Sequence, residues 1–182
     1  MRFIVVAGAI LLAGAASAGA AELALTSPDV APGGRIADEQ IADRFGCAGG
    51  NVSPALAWSG APKGAKSFAV GVFDSDAPGG GFWHWLIVDV PADAASLAKN
   101  AGDPEAGLAP AGAAQALNNA GGRGYFGPCP PPGDKPHHYH FQLFALDVDK
   151  LGVDANASPA AVAARLRPHT LAKAEFVGLW SR

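Results

Sequence analysis

Two apolar runs, Phe68-Ala-Val-Gly-Val-Phe73 and Leu86-Ile-Val-Asp-Val90, flank a stretch that breaks both patterns. Each run is short, β-branched and aromatic, and reads as a buried β-strand. A third run, Tyr139–Asp147, keeps a period of two. With His137 it puts Tyr139, Phe141 and Leu143 on one face and His138 and His140 on the other. Leu23–Thr26 and Ala55–Trp58 read as shorter strands, and Ala174–Trp180 as a last strand or a packed tail. Ser158 followed by Pro159 has the form of an N-cap with proline at the first helical position, opening a helix to about Leu166. Ile36–Phe45 reads as irregular. Residues 91–124 show no period and read as a long loop, of the kind that is usually functional or disordered.

Composition sharpens this into a mostly β domain with long, ordered loops. The 24 glycines and 15 prolines fall mainly between the apolar runs. Residues 1–20 stand apart. Arg2, the apolar Phe3–Leu12, and Ala16-Ser-Ala18 or Ala18-Gly-Ala20 together form an export signal, which leaves one domain over 21–182. The apolar core is short for a bilayer and no basic stop follows it. No cysteine follows for lipid attachment, and there is no twin-arginine pair. The expectation is a bacterial periplasmic or secreted protein without a stable membrane anchor. The formal charge of −3 becomes −4 once Arg2 is removed, which argues against nucleic acid and anionic membrane surfaces as partners.

The stretch between the first two runs, Asp74-Ser-Asp-Ala-Pro-Gly-Gly-Gly-Phe-Trp-His-Trp85, carries more chemistry than a turn needs. Spacing of two on an extended chain would set Asp74 and Asp76 on one side, where like charges call for nearby donors. A calcium loop is excluded: Pro78 and Trp85 occupy positions where ligands belong. A second constellation, Gly127-Pro-Cys-Pro-Pro-Pro-Gly133 followed by His137-His-Tyr-His140, offers such donors. Glycine leaves backbone N–H groups open to a ligand, and His137 and Tyr139 add side-chain donors. Cys47 and Cys129 are the only cysteines; in an exported protein they are expected to pair, the alternative being two small buried apolar residues.

Taken together, the two constellations resemble the phosphatidylethanolamine-binding proteins, and most of all their bacterial, Raf kinase inhibitor-like branch. Gly49-Gly-Asn-Val-Ser-Pro-Ala-Leu-Ala-Trp58 and Leu171-Ala-Lys-Ala-Glu-Phe-Val-Gly178 extend the likeness over nearly the whole mature chain. The resemblance implies a large central antiparallel sheet, a second smaller sheet and few short helices. It also implies a small anion pocket built from Asp74, Asp76, Pro78, His84, Gly127, Pro128, His137 and Tyr139. Many members carry Arg where this chain has His138, which removes a permanent positive charge.

The function expected is therefore an exported binding protein for a small phosphorylated or anionic ligand. The alternative is an inhibitor or regulatory protein acting on a protein partner, a protease or kinase. A weak hydrolase ranks third. No Gly-x-Ser-x-Gly elbow is present and the sequence supplies no base for Ser75, so no catalytic residue and no enzyme is expected. No cofactor is implied. His138 and His140 share a face but lack a third metal ligand in the sequence, so no metal is expected.

Overall fold

The computed structural model describes residues 22–154 and 156–182. The export signal read over residues 1–20 lies outside them. Among these residues, eight strands form two antiparallel sheets. The smaller holds β1 (Ala24–Thr26), β2 (Leu56–Ser59) and β5 (Ser96–Leu97), in the order β1-β2-β5. The larger runs β6-β4-β3-β7-β8, with β3 (Ser67–Asp74), β4 (Phe82–Pro91), β6 (Ala114–Gln115), β7 (His137–Leu146) and β8 (Thr170–Trp180). One helix, α1 (Pro159–Leu166), packs on the large sheet's outer face. As the sequence predicts, Ser158 caps it: the Ser158 Oγ accepts the Ala161 N–H at 3.2 Å, and proline opens the first turn.

The large sheet is covered on both sides, which explains why β3 and β4 read as unbroken apolar runs. Its inner face meets the small sheet: Phe68, Val70, Val72, Trp85, Tyr139 and Phe141 pack with Leu56 and Trp58. Its outer face, with Ala69, Leu86 and Val88, meets Val162 and Leu166 of α1. The alternation read in β7 is realised, since His137, Tyr139, Phe141 and Leu143 are all buried. The chain's end is a strand: β8 pairs with β7 over its whole length.

Residues 91–124 are mostly irregular but tied down. Gln115 bridges the Trp85 indole, whose Nε1–H donates to Gln115 Oε1 at 2.7 Å, and the Ala101 carbonyl, to which its Nε2 donates at 2.7 Å. The Gly102 N–H donates to Ser53 Oγ. Between residues 36 and 45 the only regular element is a single 3₁₀ turn, Asp38–Gln40. Among the described residues no helix is long and apolar enough to cross a membrane.

Candidate functional site

The two constellations meet at one end of the large sheet, and pairing brings them together. Asp74 closes β3 opposite Phe82 of β4 on one side and Tyr139 of β7 on the other. His84 arrives by a bulge: Val72 pairs with Trp85 and Phe73 with Trp83, so His84 is an extra residue on β4 with no partner. A bulge turns its residue to the same side as the next one. His84 therefore joins Trp85 on the inner face and packs against Phe82, Phe126 and Tyr139, while Trp83 packs on the outer face against Phe73. The loop between β3 and β4 turns back through Gly79, Gly80 and Gly81, all with positive φ. At Gly81, φ is 100° and a Cβ would strike the Phe73 ring and the Asp74 carbonyl, so only glycine fits.

These elements enclose a cavity of about 100 Å³, lined by Asp74, Ala77, Pro78, Phe82, His84, Phe126, Cys129, Pro130, Pro131, His137 and Tyr139. That is room for a small anion or a few waters. Asp74 is buried and fully engaged: Oδ1 accepts the Asp76 N–H at 2.9 Å and Oδ2 accepts the His137 Nδ1–H at 2.7 Å. The Tyr139 hydroxyl is buried and makes no close hydrogen bond among the described residues, and burial, with the Asp74 carboxylate nearby, pushes its pKa above the usual tyrosine range. Ala77, Phe82, Phe126 and the prolines make most of the remaining lining apolar.

The two histidines are tuned in opposite directions. His84 is pushed down to about 4, chiefly because burial penalises the cation, against the pull of the Phe126 carbonyl. Its Nδ1 lies 2.7 Å from that carbonyl. A carbonyl only accepts, so Nδ1 carries the proton and Nε2 presents a lone pair. For His137 burial also opposes the charge, but the hydrogen bond and charge of Asp74, with Asp134 and Asp76, outweigh it and hold the imidazole above its ordinary range. Its Nε2 lies 3.5 Å from Asp134 Oδ2, a half-exposed carboxylate outside the cavity lining.

Opposite shifts have opposite consequences for stability. The depressed His84 leaves the unfolded chain binding more protons between pH 6.5 and about 4, so stability falls as pH drops through that window. The loss is on the order of 3 kcal/mol. His137, being raised, contributes stability that is full below 6.5 and lost as pH rises through its folded value. Denaturant unfolding at pH 6.5 and pH 4 should show the acid loss in the wild type and its removal in His84→Gln.

Of the predicted site residues, Asp74, Pro78, His84, His137 and Tyr139 line the cavity. Asp76, Gly127 and Pro128 do not. The two carboxylates do not share a side, because β3 ends at Asp74 and the chain turns there, the Asp76 N–H folding back onto the Asp74 carboxylate as an Asx turn. Asp76 instead accepts the His138 N–H at 2.7 Å and His138 Nδ1–H at 2.8 Å, and the first of these holds its carboxyl below the usual range. Gly127 gives no N–H to the cavity: that group donates to Asn51 Oδ1 at 2.8 Å. Glycine is needed at 127 because a Cβ would run into the Gln40–Ala42 backbone, and Pro128 holds the same segment through its carbonyl, which accepts the Ala42 N–H. Pro130 and Pro131, also in the lining, belong to the Gly127–Gly133 string; Phe82 and Phe126 carry no sequence signal beyond being aromatic beside a motif. Cys47 and Cys129 form a disulfide, which fixes the Cys129–Pro131 wall. On the outer face, Ser75 Oγ lies 3.1 Å from His140 Nε2.

The sequence profile described as phosphatidylethanolamine-binding protein matches residues 26–181. The UPF0098 protein YbcL of Escherichia coli is 45% identical over 165 residues, covering 90% of each chain. The crystal structure of that protein, described as a new member of the mammalian PEBP family, superposes with a TM-score of 0.87 at 44% identity, covering 89% of this chain and 99% of that one. A phosphatidylethanolamine-binding protein homologue from Chlamydia trachomatis, CT736, gives a TM-score of 0.73 at 31% identity, covering 88% and 98%. A Mycobacterium tuberculosis protein named as lipoprotein LppC is 40% identical over 126 residues, 69% of this chain and 56% of its own.

Proposed function

Since the chain belongs to the phosphatidylethanolamine-binding protein family, we propose that its cavity seats a small phosphorylated or anionic ligand and that the protein serves as an exported binding protein. The observation that carries the reading is the buried Tyr139 hydroxyl, with no close hydrogen bond among the described residues, at the wall of a cavity it shares with His137. A buried donor left unpaired is costly, and an anion's oxygen removes that cost.

The donor set favours a monoprotonated phosphate. Tyr139 O–H and the cationic His137 Nε2–H donate to phosphate oxygens, while the lone pair on His84 Nε2 accepts the P–OH. Asp74 takes no part in holding the anion, which it would repel; it keeps His137 charged and oriented. Export is supported by the disulfide, by the sequence of residues 1–20, and by a relative named as a lipoprotein.

Calorimetric titration with phosphoethanolamine and with inorganic phosphate, at mildly acidic and mildly basic pH, tests this. Affinity should fall as pH rises, both because His137 loses its charge and because the phosphate monoester loses its own proton near pH 6. His137→Ala should weaken binding by about 1.5–3 kcal/mol, the worth of one charge-assisted hydrogen bond. Equal affinity across the pH range, with His137→Ala matching the wild type, would overturn the assignment. Phosphate binding as well as phosphoethanolamine would assign recognition to the anion alone; phosphoethanolamine binding tighter would add its amine.

A further inference from the structure

Ser75 follows the last residue of β3, and its side chain lies on the side of the sheet opposite the Asp74 carboxylate, beside His140 of β7. Asp74 serves the inner cavity. Ser75 lies on the outer face, exposed, with its Oγ 3.1 Å from His140 Nε2. His140 Nδ1 lies 3.2 Å from Glu175 Oε1. Glu175 Oε2 is pinned by two donors, Lys173 Nζ at 2.7 Å and Gln142 Nε2 at 3.0 Å, so Oε1 is left to face the imidazole. Cross-strand register explains the line-up: β3, β7 and β8 are consecutive neighbours in the large sheet, with Gln142 directly opposite Glu175.

We propose that Ser75, His140 and Glu175 form a second, chemically active site on the outer face of the large sheet: a serine nucleophile, its general base and the carboxylate that orients that base, acting on carboxylic esters. The roles follow from the bonds. Glu175 is ionised and only accepts, since Lys173 and His140 outweigh the effect of burial and hold its carboxyl below the usual range. Nδ1 of His140 therefore carries the proton, and the Nε2 lone pair faces the Ser75 hydroxyl. That is the arrangement that activates a serine. Beside the triad a groove of about 460 Å³ runs between the sheet and α1, lined by Trp83, Phe144 and Leu166 among others. Gln142 belongs to both, lining the groove and holding Glu175. The groove suits the apolar part of an ester.

In the reaction, Ser75 Oγ attacks the ester carbonyl carbon as its proton passes to His140 Nε2. The tetrahedral intermediate collapses, the C–O bond to the alcohol breaks, and the leaving oxygen takes the proton from His140. Water then attacks the acyl-serine, giving its proton to His140, and Ser75 leaves with that proton as the carboxylic acid is released. Stabilisation of the oxyanion is incomplete. The Ser75 N–H donates to the His138 carbonyl and the Asp76 N–H to Asp74, so neither is free for it. Slow turnover of reactive esters is the result.

A fluorophosphonate probe tests the site, because the nucleophile displaces fluoride from phosphorus in one step and the adduct survives peptide mapping. The adduct should map to Ser75 and be absent in Ser75→Ala. His140→Gln should slow labelling on the order of 100-fold, the contribution of a positioned base, and Glu175→Gln should slow it by a smaller factor. All three variants should bind phosphate as the wild type does, which shows that they are folded and that the two sites are separate. Hydrolysis of p-nitrophenyl butyrate should follow the same order. No labelling of Ser75, or equal labelling in His140→Gln, would reduce the cluster to surface hydrogen bonds and overturn the proposal.

Discussion

Asp74→Ala should cost the fold about 3–5 kcal/mol, the loss expected when one partner of a buried ion pair is removed. The Asp74 carboxylate is 3% exposed and holds two donors at once, the His137 imidazole and the Asp76 N–H. Without it, His137 either stays charged in a buried place or sheds its proton. The cost is therefore greatest at acid pH and smaller at basic pH, where the imidazole becomes neutral. Ligand affinity should move with the histidine: at neutral pH phosphate binding should fall more than tenfold, since His137 is raised by Asp74 above all its other charged neighbours. Asp74→Asn separates the two effects. It keeps one accepting oxygen and no charge, and turns an NH2 toward the other donor, so it should recover a small part of the stability and little of the neutral-pH affinity. Urea unfolding and calorimetry on both variants check this. Equal stability and unchanged affinity in Asp74→Ala would mean that the carboxylate neither supports the fold nor tunes the pocket.

Removing the disulfide should have an effect of similar size. Cys47 and Cys129 lie 82 residues apart in sequence. Closing such a loop restricts the unfolded chain by about 4 kcal/mol in the chain-entropy picture. The bond also acts on the site, because Cys129 begins the Cys129–Pro131 wall of the cavity. The double variant Cys47→Ser/Cys129→Ser should unfold at markedly lower guanidinium than the oxidised wild type. Wild type under reductant should follow it. Phosphate affinity should weaken as well, since the wall then loses its covalent tie and is left to its prolines and to backbone bonds such as the Pro128 carbonyl to Ala42. A variant with unchanged midpoint would show that the tertiary contacts of the 47 and 129 loops suffice alone.

The strands and the helix were legible because their signals are local. Ser158-Pro159 marks a helix start wherever it occurs, and the period of two in β7 persists because its inner face meets a core and its outer face meets histidines. The cavity's inner lining was legible only where one motif contained it. His84 was recognised as unusual between two tryptophans, but not why it faces the cavity: that needs a bulge, and a bulge is a property of two strands' register. Spacing of two sets Asp76 beside Asp74 only while the chain stays extended, and β3 ends at Asp74, before Asp76 is reached. Sequence suggests for Gly127 the common reason for glycine, a free N–H, whereas its place depends on backbone 85 residues away in sequence, at Ala42. The partnership of Ser75 with His140 spans two strands and lies beyond any motif. The same holds for Phe82 and Phe126, which are simply where two loops bring aromatic rings together.

Side-chain nitrogen spectra of ¹⁵N-histidine-labelled protein, recorded while inorganic phosphate is added at neutral pH, test the pocket most directly. His84 should appear as the neutral tautomer with its proton on Nδ1 and keep it on binding, while its Nε2 signal moves as that nitrogen accepts a hydrogen bond. His137 should appear as the cation and shift at Nε2. His140 and His169, bonded to Glu175 and Asp147 away from the cavity, should stay still. Phosphate that moves these outer histidines and leaves His84 and His137 unchanged would contradict the assignment of the cavity as the anion's seat.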